Sequence, residues 1–261
     1  MCTPRYDITL DQFMRIAHLL PRQLGNVVVD NYTMVNALLW MCRTGAPWRD
    51  LPECFGKWIT VYQRSDRWSR NGVVERLFAA LQEERIIVVE VRVLALDSTG
   101  VKVHRHAAGR RKGGSRSVGV SRGGGNSEVH VVSDGAGTVV GIHLSPGDGH
   151  DAAHGRRSMA ALGAFVGARL PVDRAYEGDP TRLLAESFGP GPVVPPERNR
   201  TDPWEHDRDA YRGRNVVERL FCRMKQYRKA ATRYDRFDGT FLANLMLVLI
   251  AIHLKDTTRT N

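Results

Sequence analysis

The chain has 261 residues, enough for one large domain or two modest ones with a hydrophobic core. Its 38 Lys and Arg residues against 28 Asp and Glu residues give a net charge of +10, which favours a polyanionic partner such as nucleic acid. The four cysteines are scattered without CxxC spacing, which argues against a disulfide framework or a zinc site and fits a reducing cytoplasm.

Residues 1 to about 87 are predicted to be helical. The N-terminus lacks the apolar core of a signal peptide. Thr9 and Gln12 have the spacing of a capping box, and apolar residues follow at helical intervals up to Pro21. Three more helices are expected near 32–43, 57–70 and 73–85, with a turn-rich connector, TGAPWRDLP, after the first of them.

The helix expected near 57–70 mixes tryptophan with arginine, and this pattern has two interpretations. A basic, aromatic helix in a set of short helices is compatible with a helix-turn-helix DNA-binding module. The same pattern also fits an ordinary helical bundle whose tryptophans are core and whose arginines are solvated. The pattern alone does not separate these two readings.

From Ile86 the pattern changes to strands. The β-branched run IIVVEVRVLALDS predicts a buried strand that ends at Asp97, and Asp134-Gly-Ala-Gly137 predicts a hairpin turn between EVHVVSD and TVVGIHLS. A helix is then expected near 152–168, followed by a strand that ends at Asp173 and a helix near 180–188. A strand near 193–194 precedes two helices, one around 211–225 and one over 241–254. The last is apolar but too short to cross a bilayer, so we expect it to be buried. The order indicates an α/β domain with a mixed sheet.

The stretch 105–126 contains six cationic residues, seven glycines and no acidic residue. Cations on a flexible backbone, among them Arg122, fit contact with DNA phosphates that orders the loop on binding. A solvated, disordered loop is the alternative. Even if this loop contacts DNA phosphates, it would contribute affinity and not sequence specificity.

Near the C-terminus, Tyr211, Arg214, Glu218 and Lys225 form one stripe on a predicted helix, opposite an apolar face. A carboxylate beside two cations and a phenol suits a site for metal and phosphate together. The alternative is a surface helix with a favourable Arg214–Glu218 pair. The hexapeptide VVERLF occurs twice, and its first copy, around Glu75, lacks the matching Tyr, Arg and Lys. Glu218 is therefore the better candidate, and Glu75 is expected to be a solvated helix residue.

Three carboxylates can be placed together: Asp97 and Asp173 at the ends of predicted strands, and Glu218 on the helix. Groups at the carboxyl ends of neighbouring strands in open α/β sheets converge on one site. Converging carboxylates need cations, and their oxygens suit Mg²⁺ or Mn²⁺. Two such ions can support phosphodiester displacement. The remaining candidates, Asp134, Asp148 and Asp179, are better explained by turn chemistry.

Several segments together make the chain similar to the DDE transposases of bacterial insertion sequences, in particular insertion sequence family five. The matching segments span about Leu10 to Leu254 and are LLWMCRTGAPWRDLPECFGKWITVYQR, LALDSTGVKVHRHAAG, SRGGG, LSPGDGHD, VDRAYEGD, PPERNR and YRGRNVVERLFCRMKQYRKAATRYDR. The resemblance implies an RNase H-like catalytic domain at 88–261 that follows a helical DNA-binding region at 1–87. It implies that Asp97, Asp173 and Glu218 are the catalytic metal ligands, with two Mg²⁺ or Mn²⁺ ions.

The resemblance also assigns DNA contacts and a function. The residues matched to DNA-binding positions are Tyr211, Arg214, Lys225, Lys102, His104 and His106. The implied protein is a cytoplasmic, nucleoid-associated transposase that binds terminal inverted repeats and target DNA as a homodimer or larger assembly, with no membrane and no small-molecule substrate. A catalytically inactive DNA-binding derivative and an RNase H-like nuclease are the alternatives. Two departures bear on activity: Glu128 replaces a lysine of many relatives, and Pro171 removes a strand donor before Asp173.

Overall fold

The computed structural model describes residues 7–25, 27–83, 94–107, 117–149, 153–154, 156–158, 169–171, 183, 186–187, 191–193 and 215–257. The chain forms two compact units. The first contains residues 1–87, 104–115 and 223–261, and the second contains 88–103 and 116–222. The division into a DNA-binding region at 1–87 and a catalytic domain at 88–261 stays a prediction.

The first unit is helical, as predicted. Its N-terminal helices are α1 (Leu10–Met14), α2 (Asn31–Thr44), α3 (Trp58–Arg70) and α4 (Val73–Glu83), with short 3₁₀ helices at Ala17–Leu19, Trp48–Asp50 and Glu53–Phe55. The capping box is confirmed, because Thr9 Oγ1 accepts the Gln12 N–H and Gln12 Oε1 accepts the Thr9 N–H. Gly45, at φ 62°, ends α2 with a left-handed C-cap.

The C-terminal helix belongs to the core of this unit. After α5 (Asn215–Met224) come α6 (Arg228–Ala231), β7 (Thr232–Arg233) and α7 (Asp238–Thr257), and α7 packs against α2, α3 and α4. By length and composition α7 could cross a membrane, but 72% of its most apolar stretch is buried inside the fold. The predicted buried helix is therefore confirmed. It is longer than 241–254 because polar residues extend it at both ends.

The second unit contains an antiparallel sheet and a separate two-stranded parallel sheet. Its strands are β1 (Leu94–Val103), β2 (Gly119–Ser121), β3 (Gly124–Asp134), β4 (Val139–Pro146), β5 (Arg169–Pro171) and β6 (Gly191–Val193). Strand β3 is central, with β1 antiparallel on one edge and β4 and β2 antiparallel on the other. Strand β5 lies beside β1 and pairs in parallel with β6. These antiparallel and parallel strands with their helices, together with the helical N-terminal region, confirm the predicted α/β class.

The cysteine expectation was wrong at one position. Cys54 is disulfide-bonded, whereas Cys42 is a free, buried thiol and Cys222 a free, exposed one. Disulfide connectivity depends on which residues the fold brings together, so the spacing of cysteines along the chain gave no signal for it.

Candidate active site

Asp97 lies inside a strand and not at its end, which corrects the prediction. Strand β1 continues to Val103 because residues 98–102 remain paired with β3, and Asp97 itself faces Val131. Its carboxylate is half-buried and accepts the Ser98 N–H at 2.8 Å. The first candidate ligand is thus held on a central strand, within reach of solvent.

Glu218 lies on α5, and the predicted two faces of this helix are confirmed. Glu218 is exposed, whereas the apolar side chains are all buried: Val216, Val217, Leu220, Phe221 and Met224. Burial of these side chains fixes which way the helix faces, and the carboxylate consequently lies on the solvent side. Lys225 is half-buried in the turn that follows the end of α5.

Three predicted site residues lie outside the described residues: Asp173, Tyr211 and Arg214. Strand β5, which leads toward Asp173, ends at Pro171, opposite Val193 of β6. The convergence of the three carboxylates stays a prediction. Of the competing carboxylates, Asp179 is also outside the described residues, and Asp148 lies in a turn as expected.

The turn between β3 and β4 contacts the start of α5. Asp134 organises this turn, since its Oδ1 accepts the N–H groups of Ala136 at 2.9 Å and Thr138 at 2.8 Å. Gly137 has φ 90°, and a Cβ placed on it would lie 3.1 Å from Val216 Cγ2. Turn chemistry therefore explains Asp134, as predicted, and Gly137 permits close approach of the helix that carries Glu218.

We predict that Gly137→Ala lowers the free energy of unfolding by about 2 kcal/mol, part from the left-handed backbone and part from crowding of Val216. Gly124→Ala is the matched control, because Gly124 has φ 96° and nothing within 4 Å of an added Cβ. It should lose only the backbone part, about 1 kcal/mol. Urea denaturation of both variants measures the difference. Equal losses would show that the Val216 contact does not constrain α5.

The basic residues predicted to contact DNA do not all share a surface with Asp97. Lys102 and Arg122 are exposed. Lys102 is five residues from Asp97 on a regularly paired strand, so side-chain alternation places it on the opposite face of the sheet. Arg122 lies in a tight turn between β2 and β3, which corrects the prediction of one loop over 105–126. The glycines there form a hairpin because β2 pairs with the start of β3, and residues 108–116 lie outside the described residues.

His104 and His106 meet two residues that the sequence did not single out. The His104 ring is 4.8 Å from that of His106 and 5.1 Å from that of Tyr234, measured between centroids. Arg236 Nε donates to the His106 carbonyl at 3.0 Å. His106, Tyr234 and Arg236 are exposed. Aromatic rings beside a guanidinium form a surface suited to nucleic acid, and only the segment RYDR in the resemblance pointed to Tyr234 and Arg236.

Of the two departures from the resemblance, Pro171 is the last residue of β5. Glu128 is half-buried on β3 and pairs with Gly100 of β1. By strand alternation it lies on the face opposite Asp97. The other acidic candidate, Glu75, is half-buried in α4, and one of its carboxylate oxygens is buried with no hydrogen-bond partner among the described residues. It is not the fully solvated residue expected from sequence.

Most of the chain matches two transposase families. Residues 8–78 match the family described as putative transposase of the IS4/5 family, and residues 90–254 match the transposase DDE domain. An uncharacterized protein y4sN of Sinorhizobium fredii (strain NBRC 101917 / NGR234) is 39% identical over 105 residues, which cover 39% of this chain and 81% of that protein. A crystal structure of the Mos1 mariner paired end complex with Mn is 14% identical in sequence, and the similarity covers 86% of this chain and 87% of that chain. Its TM-score of 0.26 is too low to carry an argument.

Proposed function

The chain belongs to the transposase DDE domain family, and from this premise we propose that it cuts and joins DNA at the ends of its own insertion sequence with Asp97, Asp173 and Glu218. The observation that carries the proposal is the match over residues 90–254, which spans all three carboxylates. The two that the structure describes support it, since both are accessible to solvent and lie in the second unit.

The donor set fits divalent cations of the Mg²⁺ class. Asp97 and Glu218 offer carboxylate oxygens, which such ions prefer, and Asp97 is half-buried while Glu218 is exposed. With Asp173 they would hold Mg²⁺ or Mn²⁺, in our proposal two ions. When bound, such ions supply activation of the attacking oxygen and stabilisation of the leaving oxygen.

The proposed reaction has two displacements at phosphorus. In the first, water attacks the phosphodiester at the element's end, the P–O3′ bond breaks, and a 3′-hydroxyl is released beside a 5′-phosphate. In the second, that 3′-hydroxyl attacks a phosphodiester of the target and displaces the target's own 3′-oxygen. The three carboxylates serve both steps, because both need the same in-line arrangement of oxygens.

Binding of double-stranded DNA, at the terminal inverted repeats and at the target, would use the excess positive charge. We assign contacts to Lys102, Arg122 and Lys225 and to the exposed cluster of His106 and Arg236, in addition to His104, Tyr211, Arg214 and Tyr234. Salt should weaken this binding steeply, because phosphate contacts release condensed counterions. A homodimer or larger assembly on paired ends, in the nucleoid, completes the proposal.

The test uses the full chain and DNA that carries the flanks of its own gene, with Mg²⁺, followed by mapping of strand breaks. We expect Mg²⁺-dependent breaks at the repeat boundary that are lost alike in Asp97→Ala, Asp173→Ala and Glu218→Ala, with circular dichroism as the folding control. Binding to the ends without breaks would identify the catalytically inactive DNA-binding derivative. Breaks without preference for the ends would identify an RNase H-like nuclease. Breaks that survive any one of the three changes would contradict the site.

A further inference from the structure

Three histidines come together in the second unit, away from Asp97. His130 on β3 and His143 on β4 are directly paired across the two strands, and their rings stack with centroids 4.5 Å apart. The His154 ring lies 5.3 Å from that of His130 and 6.0 Å from that of His143. One nitrogen from each ring can be chosen so that all three lie within 4.8 Å of one another. His130 also pairs with Ser98, the neighbour of Asp97, so strand alternation places the cluster on the opposite face of the sheet.

Two serines contact the rings and orient them. Ser145 Oγ lies 2.8 Å from His130 Nε2, and Ser158 Oγ lies 2.8 Å from His143 Nδ1. Because Ser158 contacts Nδ1 of His143, the nitrogen that could face an ion is Nε2. This Nε2 is buried and has no hydrogen-bond partner among the residues that the structure covers. Metal-binding histidines commonly have one ring nitrogen held in this way while the other faces the ion.

We propose that His130, His143 and His154 bind one Zn²⁺ ion at a site separate from the carboxylate site. Imidazole nitrogens suit Zn²⁺ and its transition-metal neighbours, whereas Mg²⁺ prefers oxygen ligands. The chain would then hold two chemically distinct classes of cation, one on each face of the sheet.

The geometry determines what the ion would do to the fold. Tetrahedral Zn²⁺ with bonds of about 2.1 Å holds its ligand nitrogens about 3.4 Å apart. The spacing of up to 4.8 Å without the ion therefore closes by about 1 Å on binding, and the stacked rings tilt apart to aim at a common point. This closure ties β3 and β4 to the helical residues 153–154 and 156–158, and the fourth position of the ion is left for water or another ligand.

The protonation state of the cluster supports the same assignment. Burial, with smaller contributions from His143 and His154, lowers the pKa of His130 to about 3, and burial, with smaller contributions from His154 and the nearby Arg157, lowers that of His143 to about 4. Both rings are consequently neutral at pH 7, which is the form that binds metal. A stack of neutral, buried imidazoles with only a packing role is the alternative.

The experiment uses the full, untagged chain, stripped with a chelator and dialysed against ZnCl₂ in the presence of excess Mg²⁺. We expect one Zn²⁺ per chain by atomic spectrometry, and an affinity at least about tenfold weaker in His154→Gln, measured by competition with a chromophoric chelator. His18→Gln is the control, because His18 is an exposed histidine of the other unit. Asp97→Asn and Glu218→Gln should retain the Zn²⁺, which separates this site from the carboxylates.

His143→Gln serves as a second variant, and circular dichroism shows that each variant is folded. Addition of Zn²⁺ should raise the melting temperature of the wild type more than that of either cluster variant. No Zn²⁺ on folded wild-type protein would overturn the proposal. Binding that His154→Gln and His143→Gln leave unaltered would overturn it too, because the ion would then lie elsewhere.

Discussion

Glu218→Gln is expected to lower the rate of DNA strand cleavage by about 10³-fold or more, with little effect on stability. The change keeps the size of the side chain and removes one negative charge from the proposed metal-binding carboxylates. Loss of a single preorganised electrostatic group costs enzymes about 10²–10³-fold, and loss of a metal ligand should cost no less. Because Glu218 is exposed on α5, the free energy of unfolding should change by less than about 0.5 kcal/mol.

The chain provides its own control for this change. Glu75 occupies the same position of the same hexapeptide, VVERLF, in α4. Glu75→Gln should therefore leave the cleavage rate within about twofold of wild type, since α4 lies in the helical first unit and Glu218 in the second. Single-turnover cleavage of an end-containing duplex, at saturating Mg²⁺, measures both variants. If the two substitutions slow cleavage equally, Glu218 has no special role and the assignment of the third ligand fails.

Local chemistry accounts for what could be predicted from the sequence. The capping box at Thr9 and the hairpin turn at Asp134 each depend on side chains and backbone within a few residues, and both are confirmed. The buried face of α5 follows equally from helical periodicity. Such signals need no knowledge of the rest of the fold.

Pairing between distant strands accounts for what was missed. The end of β1 was placed too early because Ser98 and Gly100 interrupt the β-branched run after Asp97, and it is the pairing of residues 98–102 with β3 that continues the strand. The histidine cluster is invisible in sequence for the same reason. His130 and His143 are neighbours only through the register of β3 and β4, and spacing along the chain does not reveal that register.

The candidate site depends both on local patterns and on contacts between distant parts of the chain. Asp97 and Asp173 were chosen because they end predicted strands, Glu218 because of its helix, and the resemblance then assigned all three as metal ligands; no local rule shows that residues so far apart converge. The presentation of Glu218 on the solvent side of α5 is confirmed. Lys102, chosen from the same resemblance, lies on the other face of the sheet from Asp97 by alternation along β1. Residues near one another in sequence can thus serve different surfaces.

The largest effect on stability is expected from a buried ion pair in the first unit. Arg233 is fully buried, and its Nη2 donates to Asp238 Oδ1 at 2.7 Å while its Nε donates to the Asp235 carbonyl at 3.0 Å. The guanidinium also lies 5.0 Å from the ring centroid of Phe241. Taking a guanidinium out of water is costly, and the carboxylate of Asp238 offsets much of that cost. This pair joins β7 to the first turn of α7, the core helix of the unit.

Asp238→Ala should therefore lower the free energy of unfolding by about 3 kcal/mol, near the lower end of what breaking a buried pair costs, because Asp238 itself retains 32% exposure. Asp256→Ala is the matched control. It breaks the Arg223–Asp256 pair, which has the same 2.7 Å separation but is 43% exposed on both sides, and it should cost less than about 1 kcal/mol. Urea denaturation monitored by circular dichroism gives both values. The exposed pair even has the better geometry, because both Nη atoms of Arg223 donate to Asp256. Similar losses would therefore show that burial of Arg233 does not set the strength of its pair, and that Asp235 and Phe241 suffice to hold the guanidinium in the core.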